Sequence, residues 1–421
     1  MLNRHLRRNP LGNYLSIRKD QIGFLSGVLR DSGDIARFRL LAFPYVLVND
    51  PALIREALVD KSESLIIQGG ASAGLARLIG HGILTNRGVN WRASRTGLQP
   101  LFHQAAMKSY VPTIAARVEE SLERWRAFGV DSPVDIQQEL LALSFRITSS
   151  TLFRWLPSFE DAAEFAAAIR VLQLDGMERY MTGFDFAPWI PLALNRRILR
   201  ARSTLLRLAQ SAAEHGAGQP VDEIRSIFFA GTESPVNTIC FALTLLEEHP
   251  QWLARIRDSA GGAVGTASLD ELERFGPLAQ VISESLRLFP AGWAFERVAA
   301  EDVHLGEHAI RRGTRLLFSP FLLHRNRRFW REPEQFDPQR FAAEPTIAEG
   351  VPKYGYLPFG AGPRSCIGMR LALAEMRIIL GALVSRCRWK TQRIPGEKPL
   401  AAEGSFKIRL SRPLRVQLEV A

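Results

Sequence analysis

Phe359-Gly-Ala-Gly-Pro-Arg-Ser-Cys-Ile-Gly368 sets one cysteine in a glycine-rich loop, immediately ahead of the apolar helical stretch Met369–Cys387. A thiolate entering a helix N-terminus is stabilised by the unpaired N–H groups and the macrodipole there. Gly360, Gly362 and Gly368 permit tight turns and let a flat ligand approach the backbone closely. Phe359 can shield the sulfur from water, and Arg364 can pair with a carboxylate. A structural buried cysteine, the usual fate of an unbridged thiol, needs none of these neighbours. Cys366 therefore reads as a ligand or a nucleophile.

The rest of the composition is that of an ordinary globular protein. With 421 residues, 46% hydrophobic and 23% charged, the chain is not low-complexity, collagenous or a disulfide scaffold. Three cysteines, Cys240, Cys366 and Cys387, are an odd number and point to a reducing, cytoplasmic setting. The start, Met1-Leu-Asn-Arg-His-Leu-Arg-Arg-Asn-Pro10, has charge but no apolar run behind it, so residues 1–14 are expected to be a flexible basic end without a signal peptide. Ser234–Leu246, a conspicuous uncharged apolar run, is shorter than the roughly 20 residues a membrane span needs. The 54 Lys+Arg against 43 Asp+Glu leave a net charge of +11, which suits nucleic acid, an acidic protein partner or simple solvation. No helix-turn-helix, zinc-finger spacing or aromatic-plus-basic RNA motif accompanies it, so nucleic acid is not expected. His304 and His308 lack further ligands for zinc.

Periodicity predicts a mainly α fold with a smaller β region. Ile35–Val48 reads as two strands about Pro44, followed by a helix opened by Asn49-Asp50-Pro51. Helical spacing then covers Val89–Phe102, Met107–Phe128, Asp135–Trp155, Phe159–Tyr180, Arg196–His215, Val221–His249, Ser268–Leu288 and Met369–Cys387. Strands return at Ala309–Leu317, Phe406–Leu410 and Leu414–Val420. Gly70-Ala-Ser-Ala-Gly74 matches the nucleophile elbow of serine hydrolases, but the βα units that fold needs do not follow it.

Three further segments carry chemistry. Glu284-Ser-Leu-Arg287 places an acid and a guanidinium on one helix face, and Asp337-Pro-Gln-Arg340-Phe341 follows in a loop rich in proline and aromatics. Phe228-Phe-Ala-Gly-Thr-Glu-Ser-Pro235 lies inside the long helical stretch. Gly231 is a weak helix former there, and Pro235 has no N–H to offer the Gly231 carbonyl. In Gly88-Val-Asn-Trp91-Arg-Ala-Ser-Arg95, Trp91 and Arg95 share a helical face and can hold a carboxylate through their N–H donors.

Taken together these segments resemble the cytochrome P-450 family, the haem-thiolate monooxygenases. The loop at Cys366 matches the family's Phe-x-x-Gly-x-Arg-x-Cys-x-Gly haem signature. The resemblance runs from the early strand pair to the C-terminal hairpin and implies one domain over residues 1–421, with a long distal helix and a proximal cysteine loop sandwiching haem b. It makes Cys366 the axial iron ligand, whose thiolate favours O–O cleavage. Trp91, Arg95, Arg297 and Arg364 become propionate anchors, with Phe359, Gly231 and Gly368 beside the cofactor. Glu233 and Ser234 become the pair that passes protons, with O2 as co-substrate. Glu284, Arg287 and Arg340 become a structural network that locks the meander beneath the haem.

Phe228, Ala230, Trp293, Phe295 and Phe406 are the implied substrate wall, suited to an apolar lipid, terpene or polyketide-like molecule. Two departures stand out. Ser234 replaces the usual threonine and loses the methyl that restricts its rotamer. Pro235 follows it, so the freed Gly231 carbonyl is expected to widen the groove and bind water or oxygen ligands. A peroxide-using or radical-coupling reaction is the alternative these departures permit. No flavin or iron–sulfur segment is visible, so NAD(P)H is expected to act only through separate redox proteins. Basic residues in Arg325–Arg331 and at Arg370, Arg377, Arg386, Arg388, Lys390 and Arg393 suggest a face that steers an acidic ferredoxin or flavodoxin to a monomeric enzyme.

Overall fold

The computed structural model describes residues 10–68, 70–129, 132–176, 193–260, 276–344, 348–392, 401–404 and 407–421. Contacts divide the chain into two compact units, one of Met1–Ser72, Leu286–Cys366 and Gly404–Arg409, the other of Ala73–Ser285, Ile367–Glu403 and Leu410–Ala421.

The first unit is built on a five-stranded sheet. Ile35–Leu40 and Phe43–Val48 form an antiparallel hairpin in the register Ile35↔Val48. Phe43–Val48 then pairs in parallel with Arg315–Phe318, which pairs antiparallel with Phe295–Ala299, and Leu65–Ile66 closes the far edge. Pro44 precedes the first parallel pair, Tyr45↔Arg315, so its missing N–H breaks no bond of that ladder. Period-two alternation sends Val46, Val48, Leu316 and Phe318 to one side, where they pack with Ile54, Leu58, Leu65 and Leu357. Helix Pro51–Arg55 starts where expected, because the Asp50 carboxylate accepts from the amides of Ala52 and Leu53 at 2.9 and 3.1 Å.

The second unit is helical. Ile136–Leu152 is apolar on most of its faces and packs against Gln104–Arg126, Phe159–Val171 and Glu233–Glu248. Ala193–Glu214, Pro250–Ala260 and Met369–Arg386 extend the layer, and Val134–Asp135, Arg415–Val420 and Cys387–Thr391 make a small antiparallel sheet. No helix among the described residues is long and apolar enough to cross a membrane.

Three sequence expectations change. The stretch expected as one helix, Val221–His249, is two, Val221–Gly231 and Glu233–Glu248, parted at Thr232. A helix at Pro10–Lys19 occupies the end of the stretch expected to be flexible, and a second follows at Gln21–Ser32, capped by Asp20. Gly70–Gly74 lies inside helix Gly70–Ile79 and not on the strand-to-helix turn a nucleophile elbow requires.

Candidate active site

The cysteine loop is fixed by its backbone. Gly360 and Gly362 have φ of 72° and 70°, the left-handed region that favours glycine. A Cβ on Gly362 would lie 1.9 Å from the Leu58 carbonyl oxygen, so a side chain there would push two backbones apart. The turns nest: the Gly360 amide donates to Leu357 O at 3.2 Å, that of Ser365 to Gly362 O at 3.0 Å, and that of Cys366 to Phe359 O at 2.9 Å. Gly368, by contrast, has an ordinary φ of −90° and caps helix Met369–Arg386. Cys366 is exposed and forms no disulfide, whereas Cys240 and Cys387 are buried. Burial pushes the Cys387 thiol up to about 12 and that of Cys240 further still. Cys366 is the cysteine placed to meet a ligand.

A buried polar chain supports the run into this loop. Arg287, wholly buried, donates to the carbonyls of His324 and Pro333 at 2.9 and 2.7 Å and to that of Gln335 at 2.9 Å, and it lies over the Trp330 ring. Glu284 is equally buried one turn earlier on helix Gly276–Leu288, and Arg340 donates to Glu332 O at 3.1 Å. His324 ties this cluster forward. Its Nε2 accepts the Leu357 amide at 2.8 Å, so that nitrogen carries no proton. Its Nδ1 then donates to Arg287 O at 3.1 Å. The ring is neutral, and burial holds its pKa down at about 3. Sequence reasoning missed His324, although a lone histidine closing the apolar run Phe321-Leu-Leu was a usable signal.

Arg297 sits half-buried on strand Phe295–Ala299. Its guanidinium donates to Glu296 O at 2.8 Å and lies over the Phe295 ring at 5.3 Å. The adjacent Glu296 carboxylate pairs with Arg315 at 3.3 Å and offsets the burial of Arg297 only in part, so burial pushes the Arg297 pKa down to about 10. A cation desolvated to that degree is suited to an incoming anion. Helix Gly88–Leu98 carries Trp91 and Arg95 one turn apart, both half-buried, with Leu98 its single buried residue. Arg364 is half-buried in the cysteine loop.

The interruption at Thr232 is the second special place. Thr232 Oγ1 donates to Phe228 O at 2.8 Å, Gln173 Nε2 to Phe229 O at 3.2 Å, and Ser234 Oγ to Ala230 O at 3.2 Å. Ser144 Oγ donates to Thr232 O at 3.1 Å. Four side-chain donors thus gather on the carbonyls around the interruption. Along an otherwise buried stretch, Ala230, Gly231 and Ser234 remain accessible, while Glu233 is buried. The Ser234 hydroxyl proton is engaged with Ala230, so its oxygen faces incoming donors as an acceptor. Gln173 and Ser144 were not foreseen, since nothing in sequence links them to residue 232.

Comparison with known proteins completes the picture. The sequence model of the family described as Cytochrome P450 matches residues 8–217 and 219–418. The chain belongs to the cytochrome P450 family. It is 28% identical over 415 residues to cyclooctat-9-en-7-ol 5-monooxygenase of Streptomyces melanosporofaciens, covering 92% of this chain and 88% of that one. It is 27% identical to cyclooctatin synthase of the same organism, covering 92% and 89%. It is also 28% identical over 387 residues to a cytokinin hydroxylase of Arabidopsis thaliana, covering 82% and 73%.

As a cytochrome P450 the protein is an oxygen-incorporating oxidoreductase with a haem-iron cofactor. The residues present in the first unit fit that group: an accessible thiol on a glycine loop and a half-buried, desolvated arginine. The substrate wall needs correction. Phe228 is wholly buried among Phe145, Phe153 and Phe165, with ring centroids 4.9–5.9 Å away, so it belongs to the core. Trp293 is 4% exposed, with its carbonyl accepting from Ser319, and so offers little surface. Ala230 and Phe295 stay accessible, and Phe406 lies outside the described residues. The expected basic face is also thinner: Arg377 is buried, Arg386 pairs with Glu119, Arg328 with Asp34 and Arg325 with Glu334, while Arg393 lies outside the described residues. Arg327, Arg331, Arg370, Arg388 and Lys390 remain exposed.

Proposed function

We propose that this cytochrome P450 hydroxylates or epoxidises an apolar small molecule of terpene or lipid type, as one catalytic unit over residues 1–421. Haem b, when bound, supplies dioxygen activation at a thiolate-ligated iron. The observation that carries the reading is the contrast among cysteines, with Cys366 exposed on its glycine loop and Cys240 and Cys387 buried. Cys366 Sγ would hold the iron. Trp91, Arg95, Arg297 and Arg364 would hold the two propionates, and an anion would offset the desolvation of the Arg297 guanidinium. Ala230 and Gly231 keep the helix surface open, and Phe295 offers apolar surface to a substrate. The Glu233 carboxyl and the Ser234 hydroxyl hold and pass protons, Ser234 accepting at Oγ while its own hydrogen rests on Ala230 O. Glu284, Arg287 and Arg340 support the run of chain into the loop.

Electrons reach the enzyme from NAD(P)H through separate redox proteins, an acidic ferredoxin or flavodoxin meeting the exposed cations Arg370, Arg388 and Lys390. The apolar relatives' substrate supports the terpene-like class, since cyclooctat-9-en-7-ol names the substrate of one of them. The test is the reduced carbon monoxide difference spectrum, expected to show the red-shifted Soret band of a thiolate ligand and to lose it in Cys366→Ala. Survival of the band in that variant would end the assignment. Spin-shift titrations with cyclooctat-9-en-7-ol and with a cytokinin then separate substrate classes.

A further inference from the structure

The cysteine loop leans on a short turn that carries two ion pairs of uncommon spacing. After Pro51–Arg55 the chain widens into a π-helical turn, Glu56–Asp60, and the Lys61 amide donates to Glu56 O, five residues back, at 2.9 Å. Arg55 Nη2 meets Asp60 Oδ1 at 3.2 Å, and Lys61 Nζ meets Glu56 Oε1 at 2.6 Å. In both pairs the partners are five residues apart. On an α-helix such residues point roughly 140° from one another, and side-chain pairs form at spacings of three or four. The wider turn brings the partners round to one side, so each pair favours the π form over the α form. The Glu56–Lys61 pair is also clasped from outside. Glu56 Oε2 accepts the Gly306 amide at 2.8 Å, and Lys61 Nζ donates to His304 O. Both partners lie on the hairpin of Val303–Leu305 and His308–Ile310, which Arg37 ties to the sheet by donating to Ala309 O at 2.9 Å.

On its other side the same turn meets the loop of Cys366. The Leu58 carbonyl occupies the place a Gly362 Cβ would take. Leu58 also shares one buried cluster with Leu357 and Ala361 beside it and with Leu305 and Ile310 of the hairpin. Hairpin, π turn and cysteine loop are therefore packed in series. A π turn holds one more residue between its hydrogen-bonded ends than an α turn, so reversion to α geometry would shift the Leu58–Val59 peptide against Gly362. We propose that Glu56 and Lys61 are positioning residues for the cysteine ligand: their ion pair, clasped by Gly306 and His304, keeps Glu56–Asp60 in the π form and so keeps the Leu58 backbone seated against the loop. The role presupposes Cys366 as the iron ligand, whereas the path of contacts from hairpin to loop does not. The Lys61 hydrogen bond holds the Glu56 carboxyl below the usual carboxylate range, so the pair stays charged through neutral pH. Arg55 and Asp60 are exposed, and their pair contributes less.

The experiment compares haem-loaded wild type with Lys61→Met, Glu56→Gln and Lys61→Arg. Amide hydrogen exchange is read on peptides spanning residues 356–368, where the amides of Gly360, Ser365 and Cys366 are hydrogen-bonded, and on strand Phe43–Val48 as an internal reference. In Lys61→Met, exchange in the loop is expected to rise about tenfold and that of the strand by less than about twofold, because a charge-assisted hydrogen bond and an ion pair are lost beside the loop alone. Glu56→Gln keeps an acceptor for Gly306 but no charge, and should raise loop exchange about threefold. Lys61→Arg keeps the cation and should return the wild-type level. The reduced carbon monoxide complex, held in mild urea, should lose its red-shifted Soret band several-fold faster in Lys61→Met and at the wild-type rate in Lys61→Arg. Unchanged loop exchange in both Lys61→Met and Glu56→Gln, or equal acceleration in loop and strand, would overturn the proposal. So would a Lys61→Arg protein that behaves like Lys61→Met. A wild type that binds haem without the red-shifted band would instead strike the reading of Cys366, while the exchange still decides whether the pair positions the loop.

Discussion

The cysteine loop and the helix break reach local irregularity by opposite means. The loop is written in backbone: two glycines at positive φ, three nested amide-to-carbonyl turns, and a carbonyl of Leu58 where a Cβ would go. The break is lined by side-chain donors: Thr232, Gln173, Ser234 and Ser144 each donate to a carbonyl at or beside it. Backbone devices tolerate little substitution but hold position rigidly. Side-chain devices tolerate more, because each donor can be replaced singly. The metal ligand proposed at Cys366 needs the first property, whereas the helix proposed to admit small molecules gains from the second.

The largest effect that can break this contrast is at Gly362. Gly362→Ala combines the left-handed φ with the collision against Leu58 and is expected to destabilise by at least about 3 kcal/mol. Gly360 has the same φ and open space around its Cβ position, so Gly360→Ala should cost only about 1 kcal/mol. Urea unfolding and haem content measure both. Equal effects would show that φ alone, and not the close approach to Leu58, fixes the loop.

A second test uses pH, because two buried groups, His324 and Glu375, have opposite linkage. His324 titrates near 6.5 when unfolded and about 3 when folded. The unfolded chain therefore binds the proton first, so stability is full above pH 6.5 and falls as pH drops toward 3, by roughly 1.4 kcal/mol per pH unit. Glu375 is raised from 4.5 to about 8, so its contribution is full below pH 4.5 and is lost as pH rises through 8. Unfolding free energies at pH 5 and 7 should converge for His324→Asn while wild type loses stability on the acid side. A wild-type profile as flat as the variant's would mean that the neutral ring is not what joins Arg287 O to the Leu357 amide.

The same contrast explains what the sequence made legible. The loop motif was readable because its requirements are local: glycine at fixed offsets from a cysteine, then a helix. The early strand pair and most helices followed from periodicity, whereas strand Phe295–Ala299 and the order of the sheet did not. Two donors at the break were not readable, because Gln173 and Ser144 come from distant stretches where each looks like an ordinary polar residue. Phe228 was misread for a related reason. Its place on the helix is near Ala230, but two residues of helical rotation turn it from the open strip into the aromatic cluster of Phe145, Phe153 and Phe165. His324 had a signature that could have been used, a lone histidine closing the apolar run Phe321-Leu-Leu.

The smallest expected effect concerns the cause of the break itself. Pro235 lacks the N–H that would meet Gly231 O, yet the helix parts at Thr232, where side chains already supply donors. If proline is the cause, Pro235→Ala restores one backbone hydrogen bond and should stabilise the protein by about 1 kcal/mol, with slower amide exchange across residues 231–236. It should also narrow the strip at Ala230 and Gly231 and weaken imidazole binding by a few-fold. If Thr232, Ser234 and Ser144 are sufficient, the alanine variant keeps its exchange pattern and its imidazole affinity, while Thr232→Val, isosteric but without the hydroxyl that bonds Phe228 O, shifts both. The pair of variants thus assigns the break to a missing donor in the backbone or to the presence of donors beside it.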